Sequence, residues 1–311
     1  MAHDRRFRFA TEIHQPFPGK TWVDTAKEIE ELGYSTVFFP DHFDEGSGPL
    51  VAMTVCAVAT STLNVGTLVF DCDYRHPAVL ARELATLDQL AEGRLEVGIG
   101  AGWKKSDYDQ SGIPMDRPGV RVDRMIEHCA VLKGLWADGP FSLAGEHYQI
   151  DGLDGTPAPY TPGGPPVLVG GGAPRLLKWA GANADIVGVN ASIHSGEVDE
   201  AAAQDAQADR IDEKVTWLQE GAGDRFADLE LNAWLAAAEI TDDPAIAEAV
   251  AAFFGTDADS LRQSPLALVG SPGDVAEMLH ERRDRWGYSY HVIPGDKARD
   301  FASVVADLTG S

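Results

Sequence analysis

Short runs of β-favouring residues alternate with longer amphipathic runs from one end of the chain to the other. Phe7, Phe9 and Thr11 recur at every second position, which is typical of a strand, whereas residues 22–32 repeat near every 3.6 positions, which is typical of a helix. The predicted strands are residues 7–13, 36–39, 63–70, 95–99, 167–169, 186–189, 229–240 and 288–293. The predicted helices are residues 22–32, 49–60, 77–90, 120–136, 174–181, 197–220, 244–254, 274–285 and 298–308. The predicted irregular connections are residues 100–119, 141–166 (with a small hairpin at 147–150) and 257–265.

This alternation favours one architecture over another. Eight strand–helix units over about 250 core residues match a (β/α)8 TIM barrel in one domain, residues 1–311, with insertions at its C-terminal face. A doubly wound open sheet with a cap is the alternative, and it calls for a break in composition that the chain does not have. No internal repeat of 20 to 50 residues is visible either.

Composition narrows the classes of partner. The chain of 311 residues has a net charge of −24, so a surface that neutralises nucleic-acid phosphates is not expected. No run of about 18 apolar residues occurs, so no membrane span is expected, and the N-terminal residues do not resemble a signal peptide. Three cysteines without paired spacing fit reduced thiols in the cytoplasm. We therefore expect a cytoplasmic protein whose partner is a small molecule.

Two titratable residues directly follow the strand at residues 36–39. Pro40 ends that strand, and Asp41 and His42 come next. In a barrel the C-terminal strand ends form the catalytic face, which also receives Glu12 from the first strand. The same dipeptide is common in turns, so the residues alone leave both interpretations open.

Two glycine-rich segments also follow strands. Gly170, Gly171 and Gly172 lead through Ala173 into a helix that starts with proline, and bare N–H groups at a helix N-terminus bind anions. The other segment, residues 98–102, lacks the spacing of a dinucleotide-binding loop. It indicates either a tight turn or a close approach to a flat ligand.

A metal site is the alternative interpretation of the polar residues at the C-terminal face of the barrel. Its candidate ligands are Glu12, His14, Asp41, His42 and His76. The first strand has no His-x-His, and no Lys or Asp stands at a later strand end to bridge metals. We therefore predict no metal ligands, and a metal-dependent barrel hydrolase stays a secondary alternative.

Seven segments in order carry a resemblance to a known family. They are residues 31–43 (with Phe-Phe-Pro-Asp-His-Phe at 38–43), 66–69 with 75–77, 87–94 (Leu-Asp-Gln-Leu-Ala-Glu-Gly-Arg), 97–103 (Val-Gly-Ile-Gly-Ala-Gly-Trp), 112–114 with 121–124, 170–174 (Gly-Gly-Gly-Ala-Pro) and 269–275. With them the chain resembles the bacterial-luciferase-like flavin and deazaflavin oxidoreductases, and more narrowly the branch that uses coenzyme F420.

The resemblance implies a cofactor ring in the mouth of a (β/α)8 barrel and a bulge with a non-proline cis peptide at Leu68-Val69. It implies that His42 acts as acid or base and that Asp41 fixes the tautomer of His42. The cofactor-binding residues it implies are Asp41, Leu68, Val69, Gly170, Gly171, Gly172, Ala173 and Asn190. Relatives are often dimers, so a homodimer is expected.

Substrate and cofactor are less defined by these residues. The sugar-phosphate dehydrogenase of the family has a glutamate where Trp103 stands here, which favours an apolar or aromatic substrate near Glu12, Trp103 and Tyr74. The predicted activity is hydride transfer between F420 and an organic substrate, and the alternatives are an FMN-dependent monooxygenase and a non-catalytic cofactor carrier. A positive lane for the anionic tail of F420 is predicted at four cations: Lys104, Lys105, Arg175 and Lys178.

Overall fold

The computed structural model describes residues 5–44, 46–193, 196 and 200–311. Its strands are β1 (Arg8–Glu12), β2 (Thr36–Phe39), β3 (Asn64–Thr67), β4 (Phe70–Asp71), β5 (Leu95–Gly100), β6 (Pro140–Ala144), β7 (Gln149–Asp154), β8 (Val167–Gly171), β9 (Ile186–Val189), β10 (Glu230–Trp234), β11 (Ala237–Ile240), β12 (Ala267–Gly270) and β13 (Tyr288–Pro294). Its helices are α1 (Trp22–Glu31), α2 (Pro49–Ala59), α3 (Pro77–Leu90), α4 (Lys105–Ser111), α5 (Pro118–Trp136), α6 (Pro174–Asn183), α7 (Glu200–Asp205), α8 (Ala208–Ala222), α9 (Pro244–Phe253), α10 (Ala258–Gln263), α11 (Pro272–Trp286) and α12 (Ala302–Leu308). Short 3-10 turns occur at Gly223–Asp228 and Gly295–Lys297.

The main sheet closes on itself. Its strands follow the order β3-β2-β1-β13-β10-β9-β8-β5-β4, all in parallel, and β3 also pairs with β5. Because β3 and β4 continue one barrel position, the circuit has eight positions with helices between them. The predicted (β/α)8 barrel is confirmed; its extent as one domain, residues 1–311, stays a prediction.

Side chains alternate between the barrel interior and the surrounding helices, as the period of two requires. A central interior cluster contains Ala10, Phe38, Leu168, Ile186, Tyr290 and Val292. Below it, Arg8 bridges the carboxylates of Glu96 (2.5 Å) and Glu230 (2.6 Å), and its guanidinium lies 3.5 Å from the ring centroid of Tyr290. This ionic cluster closes the N-terminal end of the barrel, so any ligand enters from the opposite end.

Local sequence signals position several helices well. Thr21 and Asp24 form a capping box at the start of α1, Ser271 and Asp274 form another at α11, and Pro77 lies in the first turn of α3. In the described part of the chain, no helix is both long and apolar enough to cross a membrane.

Six predicted elements need correction. The strand predicted at 63–70 is divided into β3 and β4, and the one at 229–240 is divided into β10, which is in the barrel, and β11, which pairs with β12 outside it. The helix predicted at 197–220 is two helices, α7 and α8; residues 197–199 lie outside the described ranges. The connections predicted to be irregular contain α4, α10 and a hairpin, β6–β7, longer than expected.

Candidate active site

Asp41 lies buried at the C-terminal end of β2, where Pro40 ends the strand. The guanidinium of Arg75 donates two hydrogen bonds to the Asp41 carboxylate, from Nη1 to Oδ2 at 2.5 Å and from Nη2 to Oδ1 at 2.9 Å. The backbone N–H of Asp71 donates a third hydrogen bond to Oδ2 at 3.2 Å. This bidentate arrangement engages both oxygens of Asp41 and leaves the carboxylate anchored towards β4.

The partner of His42 is a different carboxylate. Nδ1 of His42 lies 2.6 Å from Oδ2 of Asp107, which comes from α4. The Tyr74 hydroxyl (3.2 Å) and the Phe43 N–H (3.3 Å) also donate to Asp107 and hold it in place. The inference that Asp41 fixes the tautomer of His42 is therefore wrong. A carboxylate at Nδ1 favours the tautomer with the proton on that nitrogen, which leaves Nε2 as the proton acceptor.

Two of the three predicted substrate residues contact the His42–Asp107 pair or its neighbours. The ring of Trp103 meets the imidazole edge to face, with centroids 5.4 Å apart. Tyr74 stacks against Phe43, which is 57% exposed, at 4.8 Å between centroids. Glu12 lies instead at the end of the neighbouring strand β1, with Oε1 3.4 Å from Nε2 of His14.

A further group of carboxylates lies behind the histidine. The Tyr108 hydroxyl donates to Asp71 at 2.8 Å and to Asp73 at 3.0 Å, and Arg124 forms an ion pair with Asp73 at 2.6 Å. Burial raises the pKa of Asp71 to about 6. Burial likewise raises the pKa of Tyr108 well above its ordinary value, so its hydroxyl stays protonated as a donor.

The peptide bond between Leu68 and Val69 is cis, which confirms the position that the family resemblance implied. Val69 then packs over the interior face of β5. A Cβ atom at Gly100 would lie 2.5 Å from Cγ2 of Val69, and one at Gly98 would lie 2.0 Å from the Thr67 carbonyl oxygen. These two glycines are thus explained by the close approach of β3 and Val69.

The three glycines at the end of β8 allow another close approach. A Cβ at Gly172 would lie 2.4 Å from the Asn190 carbonyl oxygen, and one at Gly171 would lie 2.4 Å from Cδ2 of Leu176. The chain after β9 can therefore lie directly against the start of α6. Helix α6 begins at Pro174, and its N-cap residue, Ala173, has no polar side chain that could accept from the first N–H groups of the helix. The anion-binding interpretation stays a prediction.

Asn190, which follows β9, lies against the glycine turn after β8. Its side-chain oxygen is buried and has no hydrogen-bond partner in the described residues. Its backbone oxygen accepts from Lys214 Nζ at 2.9 Å, and Lys214 is itself paired with Asp205 at 2.5 Å. A buried carbonyl oxygen without a hydrogen-bond donor is costly. The side-chain oxygen of Asn190 is therefore available to accept a hydrogen bond from a ligand.

The cations predicted to form a positive lane all have acidic partners. Lys104 lies 2.7 Å from Asp44, and Lys178 lies 2.7 Å from Glu220. Lys105 pairs with Asp109 and Arg175 with Asp123. The charge of each cation is thus offset locally, so the lane as a region of net positive charge is not supported.

Two of the candidate metal ligands, Asp41 and His76, have partners outside the candidate set. Asp41 is held by Arg75, and Nδ1 of His76 accepts from Ala78 N–H at the start of α3. Among the described residues, the one group of at least three metal-binding side chains is Asp71, Cys72 and Asp73. Their carboxylates receive hydrogen bonds from Tyr108 and Arg124. This geometry gives the hydrolase alternative no support.

Sequence reasoning missed the residues that hold the site together. Asp107 and Tyr108 come from α4, a helix inside a predicted irregular connection. Arg75 stands in one of the family-like segments, but nothing in the spacing links it to Asp41, 34 positions away. The sign that was available is the high density of acidic and aromatic residues at 71–74 and 107–109.

Comparison with known proteins places the chain in a family. The luciferase-like monooxygenase family model matches residues 6–289, and the protein belongs to that family. A curated relative, the F420-dependent glucose-6-phosphate dehydrogenase of Kineococcus radiotolerans, is 33% identical over 185 residues, 57% of this chain and 54% of that one. The chain thus spans about half the length of this relative.

Two solved structures share the fold. The coenzyme F420-dependent tetrahydromethanopterin reductase of Methanopyrus kandleri has a TM-score of 0.76 at 20% identity, covering 98% of this chain and 99% of that one. A long-chain alkane monooxygenase has a TM-score of 0.76 at 14% identity, covering 98% and 91%. At these identities the likeness concerns the fold alone.

Proposed function

We propose that the protein is an oxidoreductase that binds coenzyme F420 in the barrel mouth and transfers a hydride between it and a small organic substrate. The observation that carries the proposal is the His42–Asp107 pair, 2.6 Å apart, at the end of β2 on the catalytic face. The Kineococcus relative is an F420-dependent enzyme and is 33% identical to this chain over 185 residues, which supports the choice of F420.

The residues present fit such a cofactor. The cis peptide and Val69 provide one wall of the barrel mouth. The side-chain oxygen of Asn190, which has no hydrogen-bond partner among the described residues, offers an acceptor near the glycine turn after β8. The uncapped N-terminus of α6 suits a phosphate, with Gly170, Gly171 and Gly172 leading into it. A bound deazaflavin would supply the carbon that accepts or donates the hydride.

His42 would act as the general acid or base for the substrate proton. With Nδ1 held by Asp107, Nε2 can take the proton from a substrate hydroxyl or amine as its hydride leaves, and return it in the reverse direction. Trp103 against the ring restricts its rotation. Asp41, tied to Arg75, supports the wall of the site and takes no part in the proton transfer.

An FMN-dependent monooxygenase is the second candidate. The observation in its favour is that the rim cations Lys104, Lys105, Arg175 and Lys178 each pair with a carboxylate, so the anionic tail of F420 meets little net positive charge there. FMN lacks that tail. A metal-dependent hydrolase has no comparable observation behind it.

A direct binding comparison tests the proposal. Purified protein is titrated with oxidised F420 and, separately, with FMN, and the fluorescence of each cofactor is followed. Saturable F420 binding at least tenfold tighter than FMN binding is expected. Tight FMN binding without F420 binding would replace the proposal by the monooxygenase, and binding of neither would remove both.

We also propose a homodimer formed through α2. This helix carries no charged residue, and Val51 (74%) and Val58 (62%) are exposed on it, with Val79 (56%) beside them on α3. In a chain with 24% charged residues, such a face is suited to a second copy. Light scattering should give a dimer for the native chain and a monomer for Val51→Glu/Val58→Glu. Ile246→Glu, at another exposed apolar position, is the control; a native monomer would refute the dimer.

A cytoplasmic location is proposed from the thiols. Cys56, Cys72 and Cys129 are all buried and unpaired. Titration of the denatured protein with a thiol reagent should find three reactive groups, and a disulfide would argue against this location.

A further inference from the structure

A cavity of 390 Å³ opens on the catalytic face beside β1, β10 and β13. These strands are neighbours in the barrel, and the cavity is bounded by their last residues and by the loops that follow them. The residues that decide its chemistry are Glu12, His14, Phe17, Trp234, Leu235 and Asp296. Its size lies within the range of pockets that bind small molecules.

Apart from the imidazole of His14, the titratable groups that line the cavity are carboxylates. Glu12 and Asp296 contribute carboxylates, and neither Lys nor Arg lines the cavity. The nearest basic neighbour along the chain, Lys297, is directed to Glu239, with Nζ 2.5 Å from Glu239 and 4.0 Å from Asp296. A phosphorylated substrate would therefore meet two negative groups here without a Lys or Arg side chain to bind its phosphate.

Glu12 is the more informative of the two carboxylates. It is 8% exposed, whereas the side chain of Asp296 is 75% exposed. Its contact with His14 is 3.4 Å long, beyond a good charge-assisted hydrogen bond, and the side chain of His14 is 40% exposed. A carboxylate so removed from water is stabilised by a close cation, and the cavity leads directly to it.

An aromatic side chain lines the same cavity from β10, two strands along the barrel from Glu12. Trp234 is 37% exposed, although tryptophan is usually well buried, and Phe17 and Leu235 add apolar surface. A cavity bounded by a carboxylate on one strand and an indole on another can hold an ammonium group at the carboxylate and an apolar or aromatic body against the indole.

From these contacts we propose that the cavity takes an organic ammonium substrate: a protonated amine bound at Glu12, with an apolar or aromatic body against Trp234. The proposal rests on the proposed function, since it names the substrate class of the same catalytic face. It also predicts that a phosphate group is disfavoured in this cavity, in contrast to what a sugar-phosphate substrate placed here would need.

Three probes of one shape test the charge preference by titration calorimetry: 3-phenylpropylamine, 3-phenylpropanol and 3-phenylpropyl phosphate. They are titrated into the protein with and without F420. We expect the amine to bind at least tenfold tighter than the alcohol, and the phosphate to bind more weakly than both. Phosphate binding equal to or tighter than amine binding would overturn the proposal.

Two variants locate the binding group. Glu12→Gln keeps the shape of the side chain and should weaken amine binding about tenfold or more while leaving the alcohol within about twofold. Asp296→Asn, at the exposed carboxylate, is the matched control and should change amine binding less than threefold. Unchanged amine binding in Glu12→Gln would refute the assignment, and the native probe series decides the charge preference even if this variant is unstable.

The cofactor titration keeps the two proposals apart. If neither F420 nor FMN binds but the amine preference and its loss in Glu12→Gln are found, the proposed function fails and the cation site stands. If F420 binds and the phosphate probe is preferred, the cation site fails and the proposed function stands.

Discussion

Replacing Asp107 by Asn should change which nitrogen of His42 carries the proton. In the native protein, Oδ2 of Asp107 lies 2.6 Å from Nδ1, and the two side chains are 2% and 20% exposed, so water competes little for this contact. A hydrogen bond to a charged group contributes roughly 1.5–3 kcal/mol, which favours the Nδ1–H form by about tenfold or more. An amide can accept from Nδ1–H or donate to a bare Nδ1, so in the variant the two forms should become comparable.

The tautomers can be measured without knowledge of the substrate. Long-range ¹⁵N–¹H correlation spectra of histidine-labelled protein distinguish Nδ1–H from Nε2–H in each ring. Asp109→Asn is the matched control, because Asp109 lies on the same helix and pairs with Lys105 at the surface. A predominantly Nε2–H form of His42 in the native protein, or identical spectra in Asp107→Asn, would refute the positioning role.

Arg75→Met removes the bidentate partner of Asp41, whose side chain is 6% exposed, and should destabilise the protein by about 3 kcal/mol in urea unfolding; a loss below about 1 kcal/mol would contradict the importance of this pair. Gly172→Val places side-chain atoms where a Cβ already lies 2.4 Å from backbone, so cofactor affinity in fluorescence titration should fall at least tenfold, while Gly48→Ala, which has open space, should leave it unchanged. Burial lowers the pKa of His128 to about 4 from an ordinary 6.5, so unfolded chains bind its proton first as the pH falls. Its contribution to stability is therefore complete above pH 6.5 and lost towards pH 4, about 2 kcal/mol of it by pH 5, and urea unfolding of His128→Phe should show a correspondingly weaker loss between pH 7 and 5.

The barrel could be predicted because its signals are local. Pro77 opens α3, and the β2 prediction at residues 36–39 matches the strand, since proline and β-branched residues act within a few positions. The division of residues 229–240 into β10 and β11 could not be predicted, because apolar residues run through the junction at 234–237 without a proline or glycine. Only the pairing of β11 with β12, about thirty residues later, draws it out of the barrel.

The place of Asp41 and His42 directly after β2 was predicted, but their partners were not. Asp41 and His42 are adjacent, and adjacent side chains in extended chain point in different directions, so neighbours in sequence need not be partners. Their partners, Arg75 and Asp107, lie 34 and 65 positions away. The same holds for the ionic cluster at the barrel floor, where Arg8 reaches Glu96 and Glu230 across the interior. Such contacts depend on barrel closure and strand register, which no local pattern records.

The most direct test of the central claim is a crystal structure of the protein with oxidised F420. We expect the deazaflavin ring in the barrel mouth against Val69 and the cis peptide, with its hydride-accepting carbon on the side of His42 and its phosphate at Gly170–Gly172. A ring bound elsewhere, or a mouth that accepts FMN and not F420 under the same conditions, would contradict the account.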